Sequence, residues 1–415
     1  MKIAIVGSGI AGLTCAYLLN RQHDIQVFEA SDWIGGHTHT VDVQVEGRSY
    51  AIDTGFIVFN DWTYPNFIRL LEQIGVGFKP TEMSFSVSDP ATGVEYNGHD
   101  LNTLFAQRSN LLSPAFWGML RDILRFNRQS LDDLANNRIS ADTTLGQYLD
   151  SNGYGRRFIE HYIVPMGSAI WSMSLADMLG FPLQFFVRFC KNHGLLSVSD
   201  RPTWQVIEGG SRSYVAPLTA SFAERIRLNC PVSRVMRDED GVTLHSAAGA
   251  ERFDKVIFAC HSDQALALLD QASEKEREIL GALPYANNDV VLHTDTRLLP
   301  KRKLAWASWN YRLGGPREQM AAVTYDMNIL QGIESDTTFC VSLNQTAAID
   351  PSKILARFQY AHPQYSLAGT AAQARWEELL GGQHTYYCGA YWANGFHEDG
   401  VVSALRVARA FGETL

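Results

Sequence analysis

Residues 1–40 read MKIAIVGSGIAGLTCAYLLNRQHDIQVFEASDWIGGHTHT, and this stretch decides the fold. Ile3 to Val6 is apolar without polar alternation, as expected of a parallel strand covered on both faces. It runs straight into Gly7-Ser8-Gly9-Ile10-Ala11-Gly12, a G-x-G-x-x-G. Ile10 to Leu19 is apolar nearly all round, the pattern of a helix buried against a sheet. A second strand, Ile25 to Phe28, ends in Glu29, twenty residues after Gly9. In such a unit the first glycine allows a tight turn, the second lets backbone approach a pyrophosphate, and the third lets helix and strand pack closely. Free N–H groups at the helix start favour phosphate, and an acid at the Glu29 position can accept hydrogen bonds from a ribose diol. The order of these parts predicts an α/β, Rossmann-like dinucleotide-binding domain.

After Glu29 comes Ala30-Ser31-Asp32-Trp33-Ile34-Gly35-Gly36-His37-Thr38. This glycine pair resembles that of the monoamine oxidase and phytoene desaturase superfamily of flavoproteins, where the segment ends Gly-Gly-Arg. The resemblance implies that Ala30, Gly35, Gly36, His37 and Thr38 approach the second phosphate and ribityl chain of FAD. His37 stands where the arginine is usual, so a permanent cation gives way to an imidazole mostly neutral near pH 7. Asp53-Thr54-Gly55-Phe56-Ile57 is similar to a superfamily stretch that passes beside the isoalloxazine ring, which implies Gly55, Phe56 and Ile57 as flavin contacts. A plain strand ending in a turn is the other reading of that stretch. Val232, after Pro231, matches the position whose backbone meets adenine. Tyr386-Tyr387-Cys388-Gly389 and then Gly395-Phe396-His397-Glu398-Asp399-Gly400-Val401 resemble the terminal flavin motif. Gly389, Glu398, Gly400 and Val401 are the cofactor residues implied there, with helix N–H groups aimed at the flavin O2 edge. No cysteine stands at the usual attachment point, so FAD is expected to be held non-covalently.

Composition bounds the rest. The 415 residues are too many for one ordinary core, and 46% apolar with 19% charged residues is a soluble, globular balance. A net charge of −9 gives no sign of nucleic-acid binding. Six cysteines, at 15, 190, 230, 260, 340 and 388, lack metal-ligand spacing, so no metal is expected and they read as reduced thiols of a cytosolic protein. The chain starts directly on a strand, so no signal peptide is expected, and no apolar run reaches the roughly 18 residues that span a bilayer.

The pattern predicts a discontinuous arrangement: cofactor segments at 1–78, 202–283 and 383–415, and an α+β substrate domain from 79–201 and 284–382. Ser113-Pro114 starts a helix reaching past Gln129, with Arg121, Arg125 and Arg128 along one side. That side reads first as the outer face of a packed bundle, and peripheral contact with an anionic membrane is the alternative. Strands are expected at Ser84 to Val87, Val94 to Tyr96, Asp289 to His293, Leu304 to Trp309, Met320 to Tyr325 and Thr338 to Leu343. A helix is expected from about Ser211 to Arg225.

The wording of the terminal motif, with Tyr325-Asp326-Met327-Asn328 and His362-Pro363, is similar to bacterial amine-oxidase-like, predicted NAD/FAD-binding proteins. That group is associated with cyclopropane fatty acid synthases, and fatty-acyl desaturation is the implied chemistry for some members. The candidate substrate lining is Trp171, Phe185, Phe186, Trp309, Tyr325 and Phe396, residues that build either a greasy tunnel or a core. The expectation is a flavin oxidoreductase drawing hydride from a hydrophobic, lipid-like substrate, with His397 as the candidate for moving the proton. An amine oxidase is the alternative, although Asn287 to His293 carries no lysine and Phe396 stands where a tyrosine is usual. A UDP-galactopyranose mutase-like isomerase needs arginines that the mid-chain lacks. A lipid carrier of the GDP dissociation inhibitor type would not keep every flavin glycine. The electron acceptor is left open among oxygen, a quinone and a nicotinamide.

Overall fold

The structure is a computed structural model that describes residues 1–315 and 320–415. Lys2–Val6 is the central strand of a five-stranded parallel sheet. Asp24–Phe28 and Lys255–Phe258 flank it, with Ile226–Arg227 and Thr385–Tyr387 outermost. Parallel neighbours require crossovers, so both faces are covered and side chains sort by alternation. Ile3, Ile5, Ile25, Val27 and Ile257 enter one apolar layer, shared with Leu13 and Cys15 of the Ile10–Leu19 helix and with Val401 and Leu405. Ala4, Val6, Phe28, Val256 and Phe258 enter the other, with Val242, Leu244, Ile279 and Leu280. The Ile10–Leu19 helix is apolar all round because the His397–Ala410 helix also lies against it. Gly400 permits that contact: a Cβ there would sit 2.7 Å from Ile10 Cγ2.

A seven-stranded sheet forms the second half. Its order is Ile354–Pro363, Tyr285–His293, Cys340–Leu343, Val323–Asp326, Trp309–Arg312, Phe85–Asp89 and Val94–Asn97. All pairs are antiparallel except Trp309–Arg312 against Phe85–Asp89. Val87, Tyr96, Leu292, Tyr311, Val323 and Val341 share one core with Phe116, Phe126, Phe158, Trp171, Phe181 and Phe186 of the helical block. The chain therefore leaves the parallel sheet after Phe28 and returns to it at Ile226, then leaves after Phe258 and returns at Thr385, and the strands of the seven-stranded sheet fall in the two excursions. Among the described residues no helix is long and apolar enough to cross a membrane.

Three local expectations are corrected. Leu304 to Trp309 is not a strand: the backbone closes a tight turn, with Ala305 N–H donating to Arg302 O and Trp306 N–H to Lys303 O, and pairing begins only at Trp309. The helix expected up to Arg225 breaks into Ser211–Tyr214, Val215–Thr219 and Ala223–Arg225; Pro217, inside the second piece, has no N–H to carry the ladder back to Ser213, which separates it from the first. Ile354–Pro363, a ten-residue strand, was missing from the expected set; Leu355 on its outward side blurs the polar alternation that would mark it. The Pro114–Ala135 helix and the Pro65–Gln73 helix form where their prolines announce them.

Two glycines test this packing. Gly400→Val should cost about 1–3 kcal/mol by overpacking the helix contact. Gly118 lies inside the Pro114–Ala135 helix with nothing within 4 Å of an added Cβ, so Gly118→Ala should stabilise by about 0.4–1 kcal/mol. Denaturant midpoints of the two variants check the opposite signs.

Candidate active site

The first turn after Lys2–Val6 is built by close backbone contact. Gly7 takes φ +107°, with its N–H on Phe28 O at 2.8 Å. A Cβ on Gly12 would lie 2.1 Å from Gly7 O, so helix and strand touch with no room for a side chain. Gly9 is different. Its backbone is extended (φ −67°, ψ 175°), available to any residue, and an added Cβ would meet nothing within 4 Å. The fold does not need glycine there; the open space in front of it does. The helix start carries no side-chain cap and no acid in its first turn, which leaves N–H groups for an anion.

The second glycine pair closes on the first. Gly35 bridges to Gly9, and a Cβ on Gly36 would lie 3.2 Å from Gly9 Cα. Glu29 is buried and holds the two loops together. Its Oε2 accepts from Ser8 N–H at 2.9 Å and Ser8 Oγ at 2.6 Å, and its Oε1 accepts from Ser31 N–H at 2.8 Å. With two donors on Oε2 and one on Oε1, it is Oε1 that keeps a lone pair for a ribose hydroxyl. Ala30 is exposed beside this acid. Cys230 N–H donates to Glu29 O and Asn229 N–H to Ser31 O, so the segment leading into the strand at Val232 lies beside Glu29.

Further along, Gly55 packs on the second loop: a Cβ would sit 2.2 Å from His37 O, which accepts from Phe56 N–H at 2.7 Å. Ile57 is buried beside it. Phe56 stacks on His397, ring centroids 3.4 Å apart. His397 Nε2 is 3.0 Å from Thr38 Oγ1 and 3.2 Å from Tyr214 OH, and burial drives its pKa well down, so the ring is neutral. Tyr214 was not singled out in the sequence; its one signal was the Gly209-Gly210-Ser211 turn just before it.

Not every terminal residue turns its side chain to this space. Glu398 caps the Pro65–Gln73 helix, accepting from Asn66 Nδ2 at 2.6 Å and Phe67 N–H at 2.8 Å. Gly400 and Val401 lie in the helix contact with Ile10. Gly389 has room only for hydrogen, since a Cβ would meet Tyr391 Cε1 at 2.4 Å, and its N–H donates to Ser403 Oγ.

His37 joins a histidine cluster that spacing alone did not reveal. Its ring lies 6.0 Å from His261, 5.5 Å from His362 and 5.4 Å from Tyr360. Burial lowers His37, with a backbone hydrogen bond at Ala361 opposing, and holds His261 and His362 down to about 3, the neighbouring His37 adding to each. His37 Nε2 is buried without a partner among the described residues. Among those residues no cluster is placed to hold a metal ion.

Residues 10–327 match the model of the flavin containing amine oxidoreductases. The chain belongs to that family. No curated protein matches it. Three solved structures share its fold over 99% of this chain and 98% of their own. They are a CLA-producing fatty acid isomerase from P. acnes (16% identity, TM-score 0.70), cyclohexylamine oxidase from Brevibacterium oxydans IH-35A (16%, 0.67) and a putative protoporphyrinogen oxidase from Exiguobacterium sp. 255-15 (17%, 0.68). As a member of the family the chain is an oxidoreductase whose cofactor is FAD. The residues present fit that group: open space at Gly9, an uncapped helix start, an acid with one spare acceptor position on Oε1, and the orphaned Nε2 of His37.

The aromatics expected to line a substrate fall into two sets. Trp171 and Phe185 pack with Phe181, Phe189 and Tyr365, Phe186 lies fully buried behind them, and Phe189 stacks on Phe396 at 5.3 Å. Trp309 and Tyr325 form a separate edge-to-face pair, 5.0 Å apart, on the seven-stranded sheet. A cavity of about 400 Å³ opens beside Phe396, lined by Trp62, Tyr64, His193, Glu398 and Asp399 among others.

Two measurements check the cradle. Gly9→Val should purify folded, with a flavin-free unfolding midpoint near wild type, but without yellow colour, whereas Gly12→Val should lose the fold itself. The histidines set a pH dependence. Their folded pKa values lie below the ordinary 6.5, so the unfolded chain takes up protons first and their stabilisation is lost as pH falls. Asp53 and Asp399, pushed up to about 6 by burial, act in the opposite sense, so the variant difference is the readout. Between about pH 6.5 and about pH 4 the melting temperature of His261→Gln/His362→Gln should fall less than that of wild type.

Proposed function

We propose that the protein dehydrogenates a long apolar substrate, a fatty-acyl or lipid-linked chain. The observation that carries this reading is the continuity of the aromatic cluster with the terminal cofactor segment. Trp171 Nε1–H donates to Asn394 O at 3.3 Å, and Phe189 lies on Phe396. An acyl chain held against such rings gains about 0.8 kcal/mol per buried methylene, with no charged anchor. FAD, when bound, supplies the hydride acceptor. The chain's own residues exclude water and position the substrate. His397 is the candidate acceptor for the proton: it is neutral, and Thr38 and Tyr214 fix its Nε2. The fatty acid isomerase named above acts on a fatty acid with the same fold, which supports the reading without deciding it.

An amine substrate is favoured by one feature, the two carboxylates lining the 400 Å³ cavity. Both are already engaged. Glu398 is tied to Asn66 and Phe67, while Asp399 accepts from Asn394 and Phe396 N–H groups and is pushed up to about 6 by burial. The Tyr285–His293 strand, YANNDVVLH, offers no lysine. We further propose that FAD is held without a covalent bond: Cys388 is buried with its Sγ 3.8 Å from Cys15 Sγ.

Anaerobic bleaching of the yellow protein tests the substrate class. Phospholipids or fatty acyl esters should bleach it faster than primary and secondary amines; rapid bleaching by an amine, with none by lipids, reverses the assignment. Acid precipitation should release the flavin to the supernatant. His397→Gln should lower the rate of bleaching by about 10²–10⁴-fold if its ring takes the proton, and a loss of only a few-fold would reduce it to a positioning residue.

A further inference from the structure

The helical block presents an outer surface that the flavin chemistry does not use. Among the described residues thirteen large apolar side chains are exposed, and five of them lie between Leu101 and Leu124. Leu101 is 77% exposed, Leu112 88%, Trp117 50% and Leu124 54%, with Leu111 beside them. The segments that carry them adjoin. Phe105 packs on Trp117 at 5.5 Å, and Trp117 Nε1–H donates to Leu111 O, which folds the 101–112 segment over the start of the Pro114–Ala135 helix. Trp117, Arg121, Leu124, Arg125 and Arg128 then follow at i, i+4, i+7, i+8 and i+11, a single helix face. The opposite face, Phe116, Met119 and Phe126, is buried in the aromatic core, while on the outer one Arg121, Leu124 and Arg128 stay exposed.

Charge decides what fits there. Residues 101–131 carry four arginines and one acid, in a chain of net charge −9. That acid, Asp122, is buried and faces Arg125 at 3.4 Å. Arg121 and Arg128 make no ion pair among the described residues, and with Leu124 and Arg125 they line a groove of about 610 Å³. Asp132 at its far end is occupied by Arg138. Leucines and a half-buried tryptophan ringed by arginines match a bilayer surface: apolar side chains enter the acyl boundary while the cations meet lipid phosphates.

We propose that this surface docks the protein on anionic phospholipid membranes, peripherally and without insertion of a span. The docking is independent of which substrate the flavin site oxidises. The test is flotation of the intact, flavin-loaded protein with two kinds of vesicle, phosphatidylcholine alone and phosphatidylcholine mixed with phosphatidylglycerol. Wild type should float with the anionic vesicles and not with the neutral ones, and salt should weaken it. Arg121→Glu/Arg128→Glu should reduce binding by more than about tenfold, and Leu112→Ser/Trp117→Ser should do so even at low salt. Arg121, Arg128 and Leu112 are exposed, so Arg121→Glu/Arg128→Glu and Leu112→Ser alone should keep their flavin and melting temperature; Trp117→Ser also removes the Phe105 contact and the bond to Leu111 O, so its fold is checked by its retained flavin. Equal binding by wild type and both variants, or no binding to anionic vesicles, would overturn the proposal. A concentration-dependent self-association abolished by Leu112→Ser/Trp117→Ser, without vesicle binding, would reassign the patch to a second copy of the chain.

Discussion

The close approach of glycine backbones around Gly9 is the constraint from which the rest follows. Gly7 and Gly12 bring helix to strand, and Gly35 and Gly36 bring a second loop against Gly9 itself. Any Cβ at Gly12 would drive the helix off the sheet, and with it the N–H groups that face the open space. Glu29 then needs no special strain to serve both loops, since Ser8 and Ser31 already orient it. The open space before the helix start is thus produced by what is left out of four positions more than by what is put in.

The two halves of the molecule are joined at that site by buried polar ties. Asp53 accepts from Thr40 Oγ1 at 2.5 Å, from Ser211 N–H at 2.9 Å and from Gln331 Nε2 at 3.0 Å, while Gln331 Oε1 accepts from Asp53 N–H. Gln331 follows the Met327–Leu330 helix, just after the Val323–Asp326 strand of the seven-stranded sheet, so this carboxylate couples Thr40 and Ser211 to that sheet. A buried, fully bonded network of this kind fixes a single arrangement, because any partial version leaves an unpaired polar group. Thr54, His39 and Tyr360 make a second tie, with Tyr360 OH 2.8 Å from Thr54 Oγ1 and 2.7 Å from His39 Nδ1.

The parallel sheet and its glycine loops were legible because their signals are local: an apolar run, a fixed glycine spacing and an acid at a set distance all lie within the first forty residues. The Ile354–Pro363 strand and the Leu304 to Trp309 turn were misread because pairing partners, not propensity, decide them. The histidine cluster was invisible for the same reason: His37, His261 and His362 come from three distant segments that only the fold brings together. His397 was readable as part of the terminal motif, but its engagement by Thr38 and Tyr214 was not. The arginine stripe could be read from periodicity, whereas the exposure of Leu101, Leu112 and Trp117 beside it could not.

A crystal structure of the flavin-loaded protein with a bound fatty-acyl ester tests the central claim most directly. The cofactor's pyrophosphate should lie in the space before Gly9, against the first turn of the Ile10–Leu19 helix, with the acyl chain passing Phe185, Trp171 and Phe396. Phosphates bound away from Gly9, or an acyl chain held only outside the aromatic cluster, would contradict it.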